Sequence, residues 1–302
     1  MELKHLRSFV KVAQLLSFSR AARQLHLSQP ALSTQIKMLE ADLGVRLLDR
    51  NRRTVRLTPA GQALLAGATD LLQQMADTEQ RVIKIASGLA GHLRIGFVAS
   101  ATAEIVPGIV LAFRKKYPDV SLDLKNIPTV QQVEALRSGL LDAGFVRMPL
   151  LEDDLDVNLV HREPFAIVLP KDHPLAREKE LSVRHLAHEP FVAYGRRWAP
   201  SFYESWTGIC RRAGFTPSVA QETGEMETAL ALVAAGLGVA ILPEGIARRH
   251  HRIFRIKPLQ QEKTSSEIGI ATLREGKTPL LDHLILTARM FAPLKRSTLK
   301  RP

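Results

Sequence analysis

The sequence has one cysteine, Cys210, in 302 residues. A disulfide framework within the chain is excluded, which fits a reducing compartment. Arg211 and Arg212 follow it and raise the alternative of an activated thiol, but the sequence shows none of the other partners such a thiol needs. The longest apolar stretch, Ala229 to Leu242, contains Gly236 and Gly238 and is too short to span a bilayer. A secretory leader is also missing, because charges interrupt the apolar residues of MELKHLRSFVKVAQ and no small-residue cleavage site follows. The expected location is the cytoplasm, with no membrane partner. No nucleophile elbow, paired carboxylates at readable spacing, metal cluster or phosphate loop can be found, so neither an enzyme nor a bound cofactor is expected. Acidic residues are the minority, 30 against 42 lysines and arginines, for a net charge of +12. That excess calls for an anionic partner, nucleic acid or an acidic membrane surface, and composition alone does not choose between them.

The N-terminal sixty residues supply a choice. Leu3, Leu6, Phe9, Val10, Ala13 and Leu16 recur at helical spacing and predict an amphipathic helix over 3–16. Ser17 or Ser19 caps a second, short helix holding Ala21, Ala22 and Leu25. After a turn at His26-Leu27, Ser28 is an N-cap and Pro30 falls in the first turn of a third helix, where its missing N–H costs nothing. That helix runs through Ala31, Leu32, Ile36, Leu39 and Leu43 and stops at Gly44. Helix, short helix, tight turn, helix is a helix-turn-helix, whose last helix enters the DNA major groove. Ser28, Gln29, Pro30, Ser33, Thr34 and Lys37 lie at its start or on its exposed side. Gln pairs with adenine edges, and Ser, Thr and Pro touch thymine methyls or phosphates. The alternative is an ordinary polar face.

In VRLLDRNRRTVRLTPAG, Val45–Leu48 and Thr54–Leu57 read as short strands. The tip between them, Asp49–Arg53, carries Arg50, Arg52 and Arg53, so the hairpin reads as a basic wing. Those three, with Arg20 near the start of the second helix, are candidates for phosphate or minor-groove contacts. Arg50 alternatively pairs with Asp49 or Glu40.

Thr58-Pro59 then starts a long helix. Leu64, Leu65, Ala68, Leu71, Leu72, Met75, Thr78, Val82 and Ile85 form an apolar stripe to about Ala86. Burial against its own copy is the economical way to cover such a stripe, and packing on its own domain is the alternative. Ser87–Gly91 is a joint. The expected divisions are therefore 1–58, a winged helix-turn-helix; 59–90, a linker and dimerisation helix; and 91–302, a ligand-binding domain. In the last part strands at 93–98, 120–126 and 143–146 alternate with helices at 104–116 and 129–138, a βαβαβ pattern with a parallel sheet. A second such unit uses strands at 165–170, 191–195, 218–222 and 239–243 with helices at 201–213 and 226–236. IFRIKP (253–258), a strand at 267–273 and a helix at 279–291 follow. Two lobes result, 91–162 with 267–302 and 163–266, with a cleft between them.

The segment FVKVAQLLSFSRAARQLHLSQPALSTQIKMLEADLGVRLLDRNRRTVRLTPAG resembles the N-terminal domain of LysR-type transcriptional regulators. The likeness is carried by Ala21-Ala22, Ser28-Gln29-Pro30, Ser33, Gln35-Ile36, Leu39-Glu40, Leu43-Gly44, Leu47-Leu48, Arg50 and Leu57–Gly61. GFVAS, ALRSGLLDAGFVR and LVAAGLGVAILP are similar to the branch that responds to aromatic carboxylates and related small acids. The resemblance implies an α+β multidomain chain: winged helix-turn-helix, long linker helix, and a two-lobed α/β effector domain of periplasmic-binding-protein-like form. It implies a dimer through the linker helix, assembled into a homotetramer on a palindromic double-stranded operator of the T-N11-A type, with RNA polymerase as a further partner. It also implies a small-molecule effector in the cleft that changes how the DNA is held. Many members carry an arginine at the position of Thr34, a reach to guanine that threonine lacks.

Cleft candidates follow. Ser100 and Thr102 come after the first strand of the effector domain and precede a helix, a setting that suits a carboxylate. Thr129 holds the equivalent place before the second helix. The resemblance makes Ser100 and Thr129 effector ligands; otherwise both are simple N-caps. Phe202, with Pro200 and Ser201, offers a ring and N–H groups from the second lobe, and Met226 lines the same cleft. Val106 is core or pocket wall. Arg147 pairs with an effector carboxylate or with Glu163. Arg196 and Arg197 either attract an anion or are solvated. Gly236-Leu237-Gly238 follows a helix and opens a strand, so it reads as a helix C-cap and not as a dinucleotide fingerprint. His250-His251, among Arg248, Arg249 and Arg252, reads as basic surface rather than a metal site. The tail with Lys295, Arg296, Lys300 and Arg301 is expected to be solvated.

Overall fold

The computed structural model describes residues 1–50, 54–102, 105–178, 181–249, 253–259 and 264–292. The chain forms two compact units, Met1–Lys84 and Ile85–Pro302.

In the first unit α1 (Leu3–Leu15), α2 (Phe18–Gln24) and α3 (Gln29–Leu43) close around Phe9, Val12, Ala21, Leu32, Ile36 and Leu39, all fully buried. Ser17, not Ser19, caps α2, accepting from Arg20 N. Ser28 caps α3 and Gly44 ends it in the left-handed region at φ 69°. The wing is a short antiparallel pair, β1 (Leu48–Arg50) and β2 (Val55–Leu57), with Leu48 opposite Leu57 and Arg50 opposite Val55. Asp49 and Arg50 are therefore ladder residues and not part of the tip, because pairing with Val55 and Arg56 extends the strand beyond the apolar run. Residues 51–53 lie outside the described residues, and with them Arg52 and Arg53.

Thr58 caps α4 (Pro59–Ala86), its Oγ1 accepting from Gly61 N at 3.0 Å. A side chain on Gly61 would sit 2.1 Å from the Leu47 carbonyl oxygen, so glycine is what lets this helix lie against the wing strand. The apolar stripe divides. Leu64, Leu65, Ala68 and Leu72 pack on the helix-turn-helix core, while Leu71, Val82 and Ile85 are exposed.

The second unit holds two lobes. Lobe one builds on β3 (Ala90–Phe97), followed by α5 (Ala99–Thr102), α6 (Val106–Lys116), β4 (Asp119–Asn126), α7 (Thr129–Arg137) and β5 (Ala143–Met148). Parallel β4 and β5 flank β3. The expected helix at 104–116 begins at Val106, and a separate short helix precedes it. Val106 is core.

Between the lobes runs β6 (Leu155–Pro170), sixteen residues long and starting ten residues before the strand expected at 165–170. Lobe two continues with β7 (Pro190–Tyr194), α8 (Pro200–Arg212), β8 (Ser218–Thr223), α9 (Met226–Ala234), β9 (Ala240–Pro243), α10 (Glu244–Arg249) and β10 (Phe254–Pro258). β11 (Ser265–Leu273) and α11 (Pro279–Arg289) return to lobe one. The first part of β6, Leu155–Pro164, pairs with β11; the second, Phe165–Pro170, pairs with β9 and β10. One strand thus belongs to both sheets, changing partners between Pro164 and Phe165. Parallel β7 and β8 join lobe two through the bridge Phe191–Val239. Each lobe has its own core, one around Phe113, Phe145 and Ile268, the other around Phe165, Phe191 and Trp206.

Candidate nucleic-acid interface and interlobe cleft

The start of α3 is built as a reading edge. Ser28 Oγ accepts from Ala31 N at 3.3 Å, which fixes the first turn. Ser28, Gln29, Pro30, Thr34 and Lys37 are exposed and Ser33 is half-buried. Gln29 Oε1 accepts from Ser19 Oγ at 3.0 Å, so α2 orients that amide and its NH2 end is left to offer. Thr34 Oγ1 donates back to Pro30 O at 3.1 Å. Arg20 is exposed, and its Nη2 donates to Leu15 O at 2.6 Å. Glu40, one partner considered for Arg50, accepts from the backbone N–H of Leu47 and Leu48 and so ties the wing to α3. The Arg50 side chain lies outside the described residues.

The second site forms around one buried cation. Arg147 is the penultimate residue of β5 and is 2% exposed. Its Nη2 donates to Ser100 Oγ at 2.7 Å, and Nη1 donates to Ser266 Oγ at 2.5 Å. Its own N–H donates to Thr129 Oγ1 at 3.1 Å. From lobe two, Met226 Sδ lies 3.9 Å from Nη2, and the Phe202 ring centroid 5.3 Å from Cζ. Glu163 Oε1, on the strand shared by the lobes, is 3.8 Å from Nη1. The other Glu163 oxygen accepts from Gly245 N at 2.7 Å, at the start of α10.

This arrangement overturns the simple-cap alternative for Ser100 and Thr129. Ser100 lies inside α5, and the cap of α7 is Pro128, with no side-chain bond. Both hydroxyls accept from Arg147 instead. Two cavities adjoin the guanidinium. A smaller one, about 70 Å³, is lined by Ser100, Asn126, Tyr194, Glu225 and Met226. A larger one, about 280 Å³, is lined by Thr129, Val133, Leu150, Ser201 and Phe202 among others. Five expected residues therefore meet: Ser100, Thr129, Arg147, Phe202 and Met226. Ser201 lines only the larger cavity, and the Thr102 side chain lies outside the described residues. Ser266, Asn126, Tyr194 and Glu225 are additions from the structure. They come from separate elements, and nothing in their spacing joins them to Arg147.

The remaining candidates separate from the cleft. Arg196 pairs with Glu204 at 3.2 Å, and Arg197 stacks 3.9 Å over the Trp198 ring. Cys210 is fully buried, and that burial pushes its thiol up to about 12, so the activated-thiol alternative fails. Gly236, at φ 82°, follows α9 as a C-terminal residue, in keeping with the cap reading. His250, His251, Arg252, Lys295, Arg296, Lys300 and Arg301 lie outside the described residues. Among the described residues no group of three His, Cys, Asp or Glu is placed to hold a metal, and no helix is long and apolar enough to cross a membrane.

Comparison with known proteins identifies both domains. Residues 3–62 match the bacterial regulatory helix-turn-helix protein model of the lysR family, and residues 86–291 match the LysR substrate binding domain. The HTH-type transcriptional regulator AlsR of Bacillus subtilis is 36% identical over 285 residues, covering 94% of each chain. A crystal structure of CbnR, a LysR family transcriptional regulator, superposes with TM-score 0.85 at 27% identity, over 96% of this chain and 100% of that one. Full-length CbnR complexed with its target DNA gives TM-score 0.82 at 26% identity, over 97% and 100%.

Proposed function

Since the chain belongs to the LysR family, DNA-binding transcriptional regulators with an effector-binding domain, we propose that its effector is a small carboxylate, aromatic or otherwise, held between the lobes beside Arg147. The observation that carries this reading is the buried guanidinium itself. It sits where two cavities meet, among hydroxyls from lobe one and a ring and thioether from lobe two. A buried cation amid donors and acceptors is a setting for an anionic group, and the apolar wall of the larger cavity suits the body of an aromatic or branched acid.

On the DNA side the reading assigns base contacts to Gln29, Pro30, Ser33 and Thr34. It assigns backbone contacts to Arg20, Ser28, Lys37, Arg50, Arg52 and Arg53. Residues 1–58 bind DNA, 59–90 link and dimerise, and 91–302 bind the effector, in a homotetramer on a palindromic operator. The cytoplasm is the corresponding location.

Two measurements on the full chain test the reading. Melting temperature is followed against benzoate-like, hydroxycinnamate-like and aliphatic carboxylates. A ligand at about 100 times its dissociation constant adds roughly 2.7 kcal/mol, and Thr129→Ala should abolish the shift. No shift from any acid refutes the carboxylate effector and leaves the DNA-binding role standing. Operator affinity is then measured against salt. Arg53→Ala should lower the log–log salt slope by about one and weaken all sequences alike, whereas Gln29→Ala should relax preference at one base pair. Equal effects of Gln29→Ala on every sequence would remove that residue from base reading.

A further inference from the structure

The cleft also carries information about the part of the ligand beside its carboxylate, an inference that rests on the carboxylate reading above. The terminal nitrogens of Arg147 already donate to Ser100 and Ser266. Three other polar groups line the smaller cavity: the Tyr194 hydroxyl, the Asn126 amide and the Glu225 carboxylate. Asn126 and Glu225 are exposed and stand at its rim, and none of the three side chains makes a hydrogen bond or ion pair to another described residue. Tyr194 is only 6% exposed, walled by the rings of Phe202 at 5.9 Å and Trp198 at 6.2 Å. The hydroxyl also lies in opposed fields: burial pushes it up to about 12, Arg147 acts to lower it and Glu225 to raise it. Cation, phenol and carboxylate thus share one small space.

Glu225 gives that space its selectivity. It precedes α9 in extended conformation, and its side chain makes no capping bond. Its carboxylate is therefore not needed by the helix. Ionised, it accepts hydrogen bonds and cannot donate. A ligand whose first carboxylate sits at Arg147 and Tyr194 meets Glu225 with whatever its neighbouring carbon carries. A hydroxyl or ammonium donates to Glu225; a bare C–H leaves it to water; a second carboxylate is repelled. We propose that the cleft selects acids with one carboxylate and a hydrogen-bond donor on the adjacent carbon, and discriminates against dicarboxylates, with Glu225 as the residue that sets this preference.

Two matched series test the proposal by calorimetry on the full chain. The first is 2-hydroxy-2-phenylacetate, phenylacetate and phenylmalonate. The second is 2-hydroxy-4-methylpentanoate, 4-methylpentanoate and isobutylmalonate. In whichever series fits the larger cavity, the hydroxy acid should bind about tenfold tighter than its parent and the diacid about tenfold weaker. Glu225→Gln should erase most of both differences and, by removing a negative charge near the bound carboxylate, tighten the parent acid modestly. The melting temperature of the unliganded variant checks that the lobe still folds. A diacid that binds wild type as tightly as the hydroxy acid overturns the proposal and leaves the carboxylate reading intact. Retention of both preferences in Glu225→Gln removes Glu225 from the role. Failure of all six acids to bind overturns this proposal together with the carboxylate reading.

Discussion

Arg147 places a full positive charge in an interior that water scarcely reaches, with Glu163 3.8 Å away and itself 7% exposed. Removing one member of a buried pair leaves the other charge uncompensated, a loss of roughly 3–5 kcal/mol. Arg147→Met keeps much of the apolar stem and removes the charge. It should lower the unfolding free energy of the effector domain by about 3 kcal/mol, read from urea denaturation of the full chain. Adding Glu163→Gln should restore most of that loss, because no charge then stays buried alone. An equal loss in single and double variants would mean that Arg147 acts through its hydrogen bonds to Ser100 and Ser266 and not through charge. At this scale the sequence is a partial guide. A hydroxyl after a strand marks a strand end, so Ser100 and Thr129 are legible as cleft residues. That both accept from Arg147 is not, since the guanidinium arrives from 47 residues beyond Ser100 and its third hydroxyl, Ser266, from 119 residues beyond that.

Elements whose causes are local are the ones the sequence states well. Of the three N-terminal helices, the second and third have serine caps and the third a glycine stop, all within a few residues of the apolar period, and the helices form close to the expected bounds. β6 is the opposite case. Its first part, LDVNLVHREP, mixes polar and charged residues with a proline and carries no strong strand pattern. It is extended because β11 pairs with it along its length, a partner about a hundred residues away. The linker helix lies between these cases. Its period is plain, but the period does not say what covers each turn. In the structure the first half covers the helix-turn-helix core, and Leu71 and Val82 remain 46% and 61% exposed. A second copy of the chain is the proposed cover. Leu71→Glu with Val82→Glu should therefore raise the dimer dissociation constant by about a hundredfold or more, measured by sedimentation equilibrium. Because neither side chain is buried in the monomer, helical circular dichroism and the N-terminal fold should be retained. Unchanged self-association would place the dimer contact elsewhere.

At the scale of the whole molecule, effector and operator are bound by separate compact units of one chain. A regulator of this design works only if the two binding free energies are coupled. Coupling is reciprocal: an effector that changes operator affinity by some factor has its own affinity changed by the same factor on operator DNA. This yields a test free of any assumption about how the units are arranged. Effector affinity is measured by calorimetry on the full chain with and without saturating operator, and operator affinity with and without saturating effector. The two ratios should agree, in the range of about 5–150-fold typical of such coupling. The net charge of +12 adds a control, since operator binding weakens as salt rises whereas the proposed carboxylate site in the cleft is screened far less. Raising salt should thus lower both operator affinities together and leave their ratio nearly constant. Ratios that both equal one would make the cleft a binding site without regulatory consequence, and the protein an architectural DNA binder. Ratios that differ from one another would mean that the effector changes the number of chains on the DNA, since linkage between two sites on one unchanged assembly cannot be unequal.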